Sequence, residues 1–210
     1  MIVWLTLIGL SAGYIESAVV VYLRELYYPE NLKSIFPLKL FTPFDYKVEL
    51  IREFFTLFIL YAVASCFERR KFHRLSIFFY LWGAWDIFYY IWLKILIGWP
   101  THILDWDVLF LIPLPWFAPW ICPVLIALCF VIFSGFLLNK DKIEISLVSK
   151  ITIPAGFALL LYSFLEISIN LIRKGMDFAN FVPHKFNWLI YILGLCCVIY
   201  GGIELCRRSR

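Results

Sequence analysis

Apolar residues in this chain are gathered into long stretches separated by short polar segments, and six stretches are long enough to cross a bilayer. About 20 apolar residues span the hydrocarbon core as a helix. In lipid the backbone must satisfy its own hydrogen bonds, so each stretch is predicted to be α-helical. The pattern therefore predicts an all-α membrane bundle, one domain over 1–210. Its spans lie at about 2–23, 48–67, 75–97, 118–138, 151–172 and 187–205.

The connection between the third and fourth spans differs from the other polar segments. Its apolar run 108–112 is too short to span, and Pro113, Pro115 and Pro119 prevent a long helix. Tryptophans bracket the same region, a distribution typical of the aromatic belt at the headgroup level. We therefore expect an interfacial or re-entrant segment there.

Composition supports the membrane class. Hydrophobic residues make up 63% of the 210 residues and charged residues only 16%, more apolar surface than a soluble domain of this size could bury. The net charge of +4 comes from basic residues at the ends of the spans, so no nucleic-acid partner is predicted. The six cysteines form no CxxC pair and are interpreted as buried thiols. The predicted partner is the lipid bilayer, with a homo-oligomer or a larger membrane complex as a further expectation.

Orientation follows from the excess of Lys and Arg in short cytoplasmic loops. With both termini in the cytoplasm, ten of the nineteen basic residues lie inside, so the raw count discriminates little. The inner ones, however, crowd into short loops and the tail, and eleven of the fifteen acidic residues fall in the outer half. We predict that both termini are cytoplasmic. The predicted inner basic residues are Arg69, Arg70, Lys71, Arg74, Lys140, Lys142, Lys150, Arg207, Arg208 and Arg210.

Several acidic residues lie inside the apolar stretches, where an ionisable group is costly and indicates a functional site by default. In the first span Glu16 shares a helical face with Gly9 and Gly13. Such a pair of small residues lets another helix approach closely, so Glu16 should point into the bundle. The alternative is a purely structural hydrogen bond to a neighbouring helix.

The second and third spans carry similar groups. Glu49, Arg52 and Glu53 open the second span, where the dipole of a helix N-terminus favours acidic residues. Asp86 lies near the middle of the third span, on one face with Tyr90. An ordinary solvated helix start and a structural contact of Asp86 are the alternatives.

The fifth span has the most regular polar stripe, with residues spaced alternately by three and four. A packing seam with a solvated outer end is the alternative. The stripe comprises Gly156, Leu159, Ser163, Glu166, Asn170, Arg173 and Asp177.

Together these positions predict a water-accessible polar site that opens to the extracytoplasmic side. Glu53, Asp86 and Glu166 are expected to converge there with Arg52. Neither a catalytic residue nor a cofactor is identified. The candidate binding residues are Glu16, Glu49, Arg52, Glu53, Asp86, Tyr90, Lys94, Glu166, Asn170 and Arg173.

The outer connection also carries residue types that bind metals. His102, Asp105 and Asp107 form a His-x-x-Asp-x-Asp pattern whose side chains could donate ligands. Because this spacing is not specific to metal sites, no metal is predicted, and these three residues stand as an alternative only.

Four short segments carry a resemblance to known sequences: 49–53, 85–90 with Lys94, 98–100 and 106–113. Through them the chain resembles a group of uncharacterised bacterial polytopic membrane proteins, over roughly residues 10–125. The resemblance implies a bacterial inner-membrane protein and carries no catalytic role.

Three functions fit these observations. The favoured one is binding or translocation of a small ion or polar solute at the carboxylate and arginine site. The alternatives are a structural subunit of a larger membrane complex, whose polar stripes would join helices, and a membrane-embedded, carboxylate-dependent enzyme that uses a metal or none.

Overall fold

The computed structural model describes residues 1–37, 39, 43–176, 178 and 181–210. These residues form six α-helices, one for each predicted span, so the predicted all-helical character is confirmed. The helices are α1 (Ile2–Tyr27), α2 (Pro43–Phe67), α3 (Lys71–Ile97), α4 (Ile121–Leu137), α5 (Leu147–Arg173) and α6 (Trp188–Arg208).

Among the described residues, four helices are long and apolar enough to cross a membrane, which indicates a membrane protein. They are α1, residues 44–67 of α2, α5 and α6. Helix α4 has only 17 residues. Helix α3 has 27 residues, but its tryptophans and tyrosines, together with Asp86 and Lys94, reduce its hydropathy.

Helix α3 is the central element of the first half of the chain. It packs against α1, α2 and α4, whereas α5 packs mainly against α6. Buried apolar side chains of α1, α2 and α3, such as Leu5, Leu60 and Leu81, form one core. A second core joins α4, α5 and α6 through residues such as Leu160 and Tyr191.

Glycines allow α1 to lie close against α3. A Cβ atom added at Gly9 would lie 2.6 Å from the Ala84 Cβ, and one added at Gly13 would lie 2.9 Å from the Phe88 Cβ. Even alanine would force these backbones apart. Glu16, one turn further along α1, is thereby directed toward the interior of the helix assembly, as the glycine spacing predicts.

The contact between α3 and α4 depends on Gly83 in the same way. A Cβ atom at Gly83 would lie 2.5 Å from the backbone carbonyl oxygen of Ala127, which cannot rotate away. We expect Gly83→Ala to lower the free energy of unfolding by about 1–3 kcal/mol through overpacking. Thermal or denaturant unfolding of the detergent-purified protein measures this loss.

Gly135 of α4 provides the matched control. The nearest atom to a Cβ added there is a Tyr80 ring carbon at 3.6 Å, an ordinary van der Waals contact. Gly135→Ala should therefore be neutral, or stabilising by about 0.5–1 kcal/mol through helix propensity. Equal stability of the two alanine variants would contradict the close α3–α4 approach.

The connection between α3 and α4 contains no helix over residues 98–120, all of which are described. Its prolines account for this, as predicted. Strands β1 (Trp106–Val108) and β2 (Phe117–Pro119) pair antiparallel, with Asp107 opposite Ala118. The Leu111 N–H donates to Glu53 of α2, and the Ser168 hydroxyl of α5 donates to the Pro115 carbonyl. The connection is therefore held against both halves of the helix assembly.

The opposite end of the assembly is here called the basic end, comprising residues 68–74, 138–150 and 204–210. Arg70 donates to the Asp141 carbonyl at 3.0 Å, and the backbones of Lys142 and Arg210 exchange two hydrogen bonds of 2.8 and 2.9 Å. The Arg70 side chain also hydrogen-bonds Glu68 and holds the pKa of that carboxyl at about 2. The basic loops predicted from sequence thus meet at one end.

Candidate functional site

A cavity of about 630 Å³ lies between α1, α2, α3 and the α3–α4 connection, and it extends to α4 and α5. Its volume is in the range of small-molecule sites. Six of the ten candidate residues line it: Glu16, Glu49, Arg52, Glu53, Asp86 and Tyr90.

Arg52 joins two of the carboxylates. Its Nε and Nη2 atoms donate to Glu49 Oε2 at 2.9 and 2.7 Å, and its Nη1 atom donates to Glu16 Oε2. Glu49 lies one turn before Arg52 on α2, whereas Glu16 comes from α1. The three side chains are 24% exposed or less, so this group is a partly buried acid–base–acid triad that links the two helices.

Glu53 has a different kind of partner. Both of its carboxylate oxygens accept from the Leu111 backbone N–H, at 3.1 and 2.9 Å, and the residue is only 6% exposed. Among the described residues it forms no ion pair. Glu53 therefore attaches the connection to α2.

A second buried group surrounds Asp107 of β1. Arg24 Nη2 lies 3.8 Å from Asp107 Oδ1, and the Tyr90 hydroxyl donates to Asp107 Oδ2 at 3.0 Å. The Arg24 guanidinium also lies 4.1 Å from the centre of the Trp99 ring and donates to the Leu32 carbonyl. Burial raises the pKa of Asp107, and Arg24 and Tyr90 only partly offset this effect.

Arg24 lies one residue beyond the predicted first span, 2–23, and was therefore not among the predicted site residues. A signal was nevertheless present. Arg24 continues the face that runs through Gly13, Ser17 and Val20 at spacings of four, three and four. The same face packs on α3, so the periodicity extended by one turn would have placed Arg24 inside.

Asp86 is the carboxyl group of the cavity with the fewest stabilising contacts among the described residues. Its side chain is half-buried, and no described residue forms a hydrogen bond or ion pair with it. Its charged neighbours are the carboxylates Asp107 and Glu16. The Nε atom of Arg24 and the indole N–H of Trp85, both from residues lining the cavity, likewise have no acceptor within the described part of the chain. Buried donors without an acceptor, such as these two N–H groups, call for a ligand or water.

Four candidate residues do not line this cavity. Glu166 accepts from the Asn187 amide at 2.9 Å, joining α5 to the start of α6. Asn170 and Arg173 are exposed. Lys94 donates to the Pro100 carbonyl at 2.6 Å. The expected convergence of Glu166 with Glu53, Asp86 and Arg52 is therefore corrected.

The physical reason lies in the α5 stripe itself. A Cβ atom added at Gly156 would lie 2.7 Å from the Gly194 carbonyl oxygen of α6, and Ser163 is buried and donates to the Leu160 carbonyl. The stripe is thus a packing seam with a solvated outer end, the alternative that its sequence pattern allows. Its last member, Asp177, lies outside the described residues.

The three residues considered for a metal do not form one site. Asp105 Oδ2 accepts from the backbone N–H groups of Thr101 and His102 and from the Thr101 hydroxyl, whereas Asp107 is buried against Arg24. Burial opposes the charge of Asp105, but these hydrogen bonds prevail and lower its pKa. The described part of the chain holds no group of three or more His, Cys, Asp or Glu residues that could bind a metal ion.

Acidic side chains outnumber basic ones in the cavity lining. Among the described residues, five carboxyl groups line the cavity against three basic side chains. Arg52 is already engaged by two carboxylates and Arg24 by one. The remaining lining is mostly apolar and aromatic. The lining ionisable residues are Glu16, Arg24, Lys39, Glu49, Arg52, Glu53, Asp86 and Asp107.

Comparison of the chain with known proteins finds no match among protein-family models, curated proteins or solved structures. Its function is therefore inferred from the cavity and its charges.

Proposed function

We propose that this chain is a membrane protein with six spans that binds a small positively charged solute in the cavity, and that the cavity opens to the extracytoplasmic side. One observation carries the proposal: among the described residues, Asp86 lines the cavity without a cationic partner, and carboxyl groups outnumber basic side chains in the lining. A partly buried carboxylate without a counter-charge is destabilising, and either a proton or a cation relieves this cost. A cation from solution would remove this cost.

Helix geometry supports spans at α3 and α4 as well. At 1.5 Å per residue, α3 is about 40 Å long and α4 about 26 Å. The first exceeds the hydrocarbon core, and a bilayer accommodates the second by local thinning. Because α3 packs against α1, α2 and α4, its polar residues need not face lipid.

The proposed orientation places the basic end in the cytoplasm, with both termini, and the α3–α4 connection outside. It rests on the cluster of Lys and Arg side chains at that end. Impermeant thiol reagents test it in intact cells, on variants whose six native cysteines are replaced by alanine. We expect Ile103→Cys to be labelled and Lys71→Cys to be protected until the membrane is opened. The reverse pattern would invert the orientation.

Cation binding is tested by thermal unfolding of the purified protein at constant ionic strength. The probes are sodium, potassium, magnesium, tetramethylammonium and tetraphenylphosphonium chlorides, each exchanged against the bulky cation N-methylglucamine. A cation present at 100 times its Kd stabilises the folded state by about 2.7 kcal/mol. We expect at least one probe to raise the unfolding midpoint.

Asp86→Asn should fold and lose this stabilisation, because asparagine keeps the shape of the side chain but carries no charge. Glu166→Gln is the matched control, since Glu166 is also a carboxylate within a helix but does not line the cavity. The proposal fails if no probe stabilises the wild-type protein, or if Asp86→Asn responds as the wild type does. A stable partner protein that co-purifies and blocks the response would favour the structural-subunit alternative.

A further inference from the structure

The chemistry of the cavity points beyond a simple ion. We propose that its ligand is an amphipathic organic cation, with a cationic head at Asp86 and an apolar body against the aromatic wall contributed by α3, α4, α5 and the α3–α4 connection. This inference rests on the proposed cation binding and specifies the class of solute.

Size is the first argument. A cavity of about 630 Å³ is within the range of roughly 300–1,000 Å³ that sites for drug-sized molecules occupy. A bare inorganic cation would leave most of this volume empty. An organic ligand fills it and excludes water from the carboxylates.

The second argument is the aromatic wall beside Asp86. Trp82 lies one helical turn before Asp86 on α3, and its ring centre is 5.8 Å from that of Phe130 on α4. Phe130 in turn lies 5.7 Å from Phe157 on α5. These lining rings are in continuous contact across three helices. A charged head at Asp86 and a body on the wall would be separated by about 6 Å, the rise of four helical residues.

The connection completes the wall. Trp116 stacks on Phe164 of α5 with their ring centres 6.0 Å apart, and both line the cavity. Ring faces attract cations that shed water easily, such as quaternary ammonium or phosphonium groups. Burying the apolar body adds about 25 cal/mol for each Å² removed from water.

The number of uncommitted carboxylates favours an organic cation over a divalent metal ion. A divalent metal requires several oxygen ligands at once. In this cavity Arg52 holds Glu16 and Glu49, a backbone N–H holds Glu53, and Arg24 and Tyr90 hold Asp107. Within the described residues that leaves Asp86 as a single uncommitted carboxylate, which suits a monovalent head.

Equilibrium dialysis of the protein in lipid nanodiscs tests the inference, with binding to protein-free discs subtracted. Tetraphenylphosphonium and tetraphenylborate have nearly the same shape and opposite charge, and tetramethylammonium presents a cationic head without an aromatic body. We expect tetraphenylphosphonium to bind at least tenfold more tightly than the other two. Asp86→Asn should weaken it at least tenfold, whereas Glu25→Gln, an exposed carboxylate on α1, should not.

The wall is tested by Phe157→Ala, which should weaken tetraphenylphosphonium and leave tetramethylammonium unchanged. If tetramethylammonium binds in an Asp86-dependent way and tetraphenylphosphonium binds no more tightly, the inference is overturned while the proposed cation binding stands. If tetraphenylborate binds as well as tetraphenylphosphonium, charge does not select the ligand and the inference is overturned. If no cation binds through Asp86, both fail.

Discussion

Replacing Arg52 with methionine should lower the free energy of unfolding by about 3–5 kcal/mol, the usual cost of breaking a buried ion pair from one side. The change removes the only ion-pair partner that the described residues supply to Glu16 and Glu49, and leaves two like charges close together. Methionine has a similar length and apolar stem, so the loss of packing is small. Chemical unfolding of the detergent-purified protein measures the change.

Two further variants identify the cause of that loss. The first is a triple variant that adds Glu16→Gln and Glu49→Gln to Arg52→Met. It removes the two unpaired carboxylate charges and should recover most of the stability. Arg208→Met breaks the exposed pair with Glu204 at the basic end and should cost no more than about 0.5 kcal/mol. Equal losses for Arg52→Met and Arg208→Met would mean that the triad of Arg52 does not join α1 to α2.

The helices could be predicted from sequence because each lies in its own apolar stretch. Their ends depended on local features that hydropathy does not measure. Helix α5 begins at Leu147, four residues before the predicted start, because the Ser146 hydroxyl caps it by accepting from the Ser149 N–H. The pairing of β1 with β2 was not predicted, since three-residue strands have no periodicity to detect.

Only some of the predicted site residues line the cavity, and one cause explains why the others do not. Helical spacing tells which residues share a face, but not which neighbour that face contacts. The face of α1 that carries Gly9 and Glu16 packs on α3 and leads to the cavity. The face of α5 that carries Gly156 and Glu166 packs on α6. The two stripes look alike in sequence, and only the fold distinguishes them.

Replacing Arg24 with leucine should also lower the free energy of unfolding by about 3–5 kcal/mol. Arg24 is 3% exposed, and its loss leaves the buried Asp107 carboxylate with no cation within the described residues. Arg24→Lys keeps the charge but loses the planar stacking on Trp99 and the forked donor geometry. Its loss of stability should therefore be smaller but measurable.

The pH dependence of stability shows whether Arg24→Leu destabilises the protein through the unpaired Asp107 charge or through lost packing. Burial already raises the pKa of Asp107, and removing Arg24 should raise it further. A carboxyl whose pKa is higher in the folded than in the unfolded state costs stability at high pH, and the cost fades as protonation removes the charge. The stability difference between wild type and Arg24→Leu should therefore be larger at about pH 8 than at about pH 5.

Adding Asp107→Asn to Arg24→Leu should restore stability at the higher pH and abolish that dependence. A difference that is the same at both pH values, and that Asp107→Asn does not relieve, would assign the role of Arg24 to its packing on Trp99 rather than to its charge.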